Sequence, residues 1–72
     1  MDAQDWIADF ARGLGVAPPD DETFETLLEL AGVAAHASER IAAPIACYLV
    51  GLVRVDPARA LELARTLAGD DA

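Results

Sequence analysis

His36 is the only histidine of the chain and the only side chain whose ordinary pKa lies near neutrality, which makes it the first candidate for acid–base chemistry. On a continuous helix Glu29 falls two turns before it and Arg40 one turn after it. A carboxylate, an imidazole and a guanidinium would then share one face. That row suits a phosphorylated or carboxylate ligand, with Ser38 and Glu39 completing the corner around it. The same row is also what a helix needs on its water-facing side, where charge pairs are common and individually weak.

The second reactive group is Cys47, and its surroundings speak against catalysis. A nucleophilic thiol needs a lowered pKa, and no basic residue stands within a turn of Cys47 on either side. In an apolar helix a free cysteine behaves as a small hydrophobe. One His and one Cys cannot build a structural zinc site, and a single Cys cannot form an internal disulfide. There is no glycine-rich phosphate loop and no serine elbow. The expectation is a protein without cofactor or metal, and without a catalytic constellation.

The elements that must carry these residues are all helical. Met1 to Leu14 sets Trp6, Ile7, Phe10, Ala11 and Leu14 on one side and Asp2, Asp5, Asp9 and Arg12 on the other. Asp2 is placed to cap this helix, and Gly13 and Gly15 allow a left-handed exit. A second helix is expected from Asp20 or Asp21 to about Ser38. Its main stripe includes Phe24, Leu27, Leu28 and Ala31, and Leu30, Val33 and Ala37 form a second apolar edge. Ser38 to Ile41 then makes a tight corner. Pro44 has no N–H to donate, so it belongs in the first turn of a third helix that starts between Ala42 and Pro44 and runs to Val53 or Arg54. Asp56 followed by Pro57 opens a fourth helix that reaches about Ala68, with Asp70 to Ala72 expected to fray.

The third helix dominates the packing problem. Ile41 to Val53 is uncharged over thirteen residues. At about 1.5 Å per residue it spans only some 20 Å, short of the roughly 20 apolar residues that cross a bilayer. A helix apolar all round needs several neighbours. The fold class expected is therefore all-α, a single compact four-helix domain over 1–72 with a central apolar third helix. Three neighbours leave some of that helix uncovered, which makes a homodimer with Cys47, Tyr48 or Val55 at a two-fold contact the natural supplement.

Charge narrows the partners. Thirteen acidic residues against five arginines give a net charge of −8. Such a field repels phosphate backbones and anionic lipid, so neither nucleic acid nor membrane is expected, and a basic patch on another protein is. No basic and apolar leader opens the sequence, and a cytoplasmic protein is expected.

Size, acidity and helix count are shared with the acyl carrier proteins. Those carry their prosthetic group on the serine of an Asp-Ser-Leu motif, whereas the one serine here lies in Ala37-Ser38-Glu39, before an apolar helix. The likeness is one of bulk properties.

A closer resemblance rests on specific residues: Asp5-Trp6, Leu14-Gly15-Val16, Leu27-Leu28-Glu29-Leu30-Ala31, Val33-Ala34-Ala35-His36, Glu39-Arg40, Ala42-Ala43-Pro44 and Leu49-Val50-Gly51. In these the chain resembles a small bacterial family of unknown function, found alone or joined to molybdenum cofactor guanylyltransferases. It departs from the family pattern at Ile41, where a proline is usual, and at Ala46-Cys47-Tyr48. The resemblance implies an accessory module that docks on a guanylyltransferase or on a molybdenum enzyme, with His36 and Arg40 among the contact residues. The expected function is thus non-catalytic protein binding through surface groups such as Glu29, His36, Glu39 and Arg40. The alternative is a small ligand-binding or carrier protein using the His36, Ser38 and Arg40 corner.

Overall fold

The computed structural model describes residues 2–69, in which four helices follow one another: α1 (Ala3–Leu14), α2 (Asp21–Ala37), α3 (Ala42–Val53) and α4 (Pro57–Leu67). The start of the first helix at Met1 and the fraying of Asp70 to Ala72 lie outside the described residues.

Each boundary has a local cause. The Asp5 N–H donates to Asp2 Oδ1 at 2.8 Å, and the Thr23 N–H to Asp20 Oδ1 at the same distance, so both helices begin on a side-chain cap. That backbone bond, with the Thr23 hydroxyl adding to it, holds the Asp20 carboxyl below its usual range. Asp56 caps α4, with Pro57 in the first turn. At the end of α1, Gly15 takes the left-handed conformation, φ 79°, while its N–H donates to the Arg12 carbonyl and that of Val16 to the Ala11 carbonyl. This paired closure satisfies two carbonyls the helix would otherwise leave open. Ser38, at φ −134° and ψ −99°, breaks α2. The Ala42 and Ala43 N–H groups then donate to the Glu39 and Arg40 carbonyls, which turns the chain into α3.

The all-α fold class is as expected, but the packing is organised around a different helix. α2 packs against both α3 and α4. Its first half shares an apolar groove with α1, where Ala3 and Ile7 meet Phe24, Leu27 and Leu28. Leu30, in the middle of α2, is the most deeply buried residue at 2 % exposure, and Ala11 and Leu61 complete the buried set among the described residues. Small residues at the end of α2, Ala34 and Ala37, line a cleft with Ala42 and Ala46 of α3, as a close helix approach requires.

The expectation of a central third helix is corrected by this arrangement. No residue of α3 is buried, and Ile45, Tyr48 and Leu52 are 60 %, 64 % and 62 % exposed. The physical reason is length and edges. α2 has 17 residues and two apolar edges, and it packs on both α3 and α4 with α1 across a groove, whereas α3 has 12 and turns mainly its alanine side to α2. The molecule is accordingly elongated, 38 × 22 × 19 Å.

Candidate functional site

The charged row anticipated along α2 is only partly assembled. Glu29 and His36 lie on the same side of the helix and line one open groove of about 450 Å³, together with Gly32, Val33 and Ala37. Arg40 does not join them, because α2 ends at Ala37 and the one-turn spacing from His36 to Arg40 has no helix to carry it. Ser38, Glu39 and Arg40 instead form the exposed corner before α3.

The guanidinium that does enter the groove belongs to α4. Arg65 Nη2 donates to Glu29 Oε2 at 2.7 Å, tying the last turn of α4 to the middle of α2. The two side chains are 43 % and 56 % exposed, so the pair contributes at most about 1 kcal/mol. Sequence spacing does place Arg65 on the exposed side of its helix, but nothing in it says which carboxylate it would meet. Pairing residues 36 positions apart is decided only when α4 docks on α2.

This groove has polar groups but no reactive pair. His36 and Arg65 occupy the last turns of their helices, and the Arg65 guanidinium there meets the negative end of the helix dipole. Cys47 lies elsewhere, half-buried on α3, and burial pushes its thiol up, away from the thiolate form. Among the described residues no group of three or more His, Cys, Asp or Glu side chains could hold a metal ion, and no helix is long and apolar enough to cross a membrane.

Two other surfaces stand out by exposure and charge. On α1, Trp6 and Phe10 stack with ring centroids 5.1 Å apart while each remains about half exposed. They flank the helix edge that carries Asp2, Asp5 and Asp9. From Asp2 to Glu29 eight carboxylates stand against Arg12 alone. From Leu30 to Gly69 the balance reverses, with Glu39, Asp56 and Glu62 against four arginines. The negative field of the described residues is therefore concentrated on α1 and the first half of α2. The second surface is α3, where Tyr48 is exposed, Cys47 half-buried, and Val55 half-buried in the connection to α4.

A comparison with known families now has a structure to attach to. The family described as Domain of unknown function (DUF6457) matches residues 1–72. The chain belongs to this family. The match covers all the residues on which the resemblance rests, from Asp5-Trp6 to Gly51. No curated protein and no solved structure matches the DUF6457 chain. The family assignment carries no activity with it, so the function of the DUF6457 domain must be argued from its surfaces.

Proposed function

We propose that this DUF6457 domain is a non-catalytic protein-interaction module whose acidic, aromatic α1 face docks on a basic surface of a partner protein. The observation that carries the reading is the exposed Trp6–Phe10 stack beside Asp2, Asp5 and Asp9. Aromatic side chains that a small domain leaves half in water are characteristic anchors of interfaces. Their neighbouring carboxylates attract Lys and Arg, and the indole face of Trp6 receives such a cation directly. The resemblance described above suggests the partner class: a cytoplasmic guanylyltransferase or molybdenum enzyme in molybdenum cofactor maturation, with this domain as accessory.

A second reading, binding of a small ligand, is favoured by one observation, the open groove that holds Glu29, His36 and Arg65. One experiment separates the two. The full chain is used as bait for a purified guanylyltransferase and a purified molybdenum enzyme from the same host, with two double variants, Asp5→Arg with Asp9→Arg and, in the groove, His36→Ala with Arg65→Ala. Docking through α1 predicts stoichiometric capture, loss of at least about tenfold in affinity for the aspartate variant, and little change for the histidine variant. The opposite pattern, or no capture of either protein, overturns the reading.

A further inference from the structure

The exposed face of α3 has a different chemistry from α1, and it points to a different occupant. Ile41, Ile45, Tyr48, Leu49 and Leu52 follow the i, i+4, i+7, i+8, i+11 spacing of one helix face, and all are more than half exposed. With Val53 they present an apolar area on the order of 700 Å², above the ~300–600 Å² of the largest patch on a typical monomer and near the ~800 Å² each partner contributes to a standard interface.

We propose that this face binds a second copy of the chain, α3 against α3 and antiparallel, about a two-fold axis near Tyr48. Charge selects that occupant. The stripe itself carries no charge, although the chain has a net charge of −8. A basic partner would find no carboxylate on it. Its two ends are each neutral pairs, Glu39 with Arg40 before the helix and Arg54 with Asp56 after it. An antiparallel two-fold brings Glu39 toward Arg54 of the second copy at each end, so that opposite charges meet, while the Asp56 carboxylate stays on its α4 cap. A parallel pairing would set like against like. The α1 face cannot serve the same purpose, because two copies meeting there would bring Asp2, Asp5 and Asp9 together with their counterparts.

Two further details agree with this geometry. Gly51 is a poor helix former in mid-helix, and a Cβ built there would meet nothing within 4 Å. In the antiparallel arrangement it lies on the Pro44 flank of Tyr48, across from Pro44 of the second copy, and leaves room for that ring. Arg54 closes α3 in the left-handed conformation, φ 57°, where glycine is the usual residue. Its guanidinium is the group a glycine would not provide.

The inference does not depend on the docking of α1, since the two surfaces are separate and fail separately. Its test is sedimentation equilibrium of the full chain from about 1 μM to 1 mM, the range over which weak self-association is seen. The expected result is a species of twice the 7.6 kDa chain mass. Gly51→Glu enters open space and improves helix propensity, so it should keep the circular dichroism of the parent and sediment as one chain. Tyr48→Glu serves as a second variant with the same expected outcome. Glu39→Arg and Arg54→Glu should each weaken the dimer about tenfold, and the double variant should recover most of that loss. A parent chain that stays at single mass, or a folded Gly51→Glu that remains dimeric, overturns the proposal. A double variant as weak as its parents overturns the antiparallel orientation.

Discussion

Cys47 and His36 illustrate how environment, rather than residue type, decides what a side chain can do. A thiol half-buried on an apolar helix, with its pKa pushed up by desolvation, holds less thiolate at any given pH than a free cysteine. Alkylation of Cys47 by iodoacetamide at pH 8 is therefore expected to run at least about fivefold slower than that of free cysteine. A rate equal to the free amino acid would mean that the thiol is neither shielded nor raised. His36 is exposed at the end of α2 with no nucleophile in the groove it lines, and a polar side chain on the water-facing last turn is the simplest account of its place. Arg65 was the charge that sequence spacing could not assign, and it, not Arg40, completes the polar groove with Glu29.

At the scale of helices, the role of α2 sets the energetics. Leu30 sits where α3 and α4 both close on α2, so truncating it removes contacts to several elements at once. Leu30→Ala is expected to destabilise the fold by about 2–5 kcal/mol, a large share of the roughly 4–11 kcal/mol available to a domain of this length. Leu52→Ala, on the exposed side of α3, should change the stability of the single chain by less than about 0.5 kcal/mol. Urea denaturation at a concentration well below that of self-association measures both. Equal losses at the two positions would instead place α3 in the core, as its composition alone suggests. Trapping so much apolar surface on one helix is costly in water, which is why α3 is the element from which an assembly is best built.

At the scale of the molecule, a net charge of −8 acts on the two surfaces with opposite sign. Two copies that meet through a neutral, apolar α3 face still repel each other through the carboxylates of α1 and α2. Salt screens that repulsion and should tighten the dimer. Docking of the acidic α1 face on a basic partner is an attraction, and salt should weaken it. Raising NaCl from about 50 mM to 500 mM is thus expected to strengthen self-association and to weaken partner capture, each by severalfold. Movement of both in the same direction would show that one surface is performing both tasks.

The helices and their ends were legible in the sequence because their causes are local. Asp2, Asp20 and Asp56 cap, Gly15 takes the left-handed exit, Pro57 starts α4, and an apolar stripe at helical spacing requires no knowledge of its neighbour. The all-α class followed from the same signals, and so did the absence of a catalytic set as an expectation. Which helix is central could not be read from composition. Ile41 to Val53 is the most hydrophobic stretch, yet burial depends on how many partners a helix can reach. The two edges of α2, one carrying Phe24 and Leu27 and the other Leu30 and Val33, reach more of them. The Glu29–Arg65 pair and the loss of Arg40 from the row are likewise tertiary facts. The first needs α4 docked across α2, and the second depends on the residue at which α2 breaks. Local chemistry fixes where helices start and stop, whereas the competition among helices for one another's apolar faces determines which surfaces remain exposed to solvent.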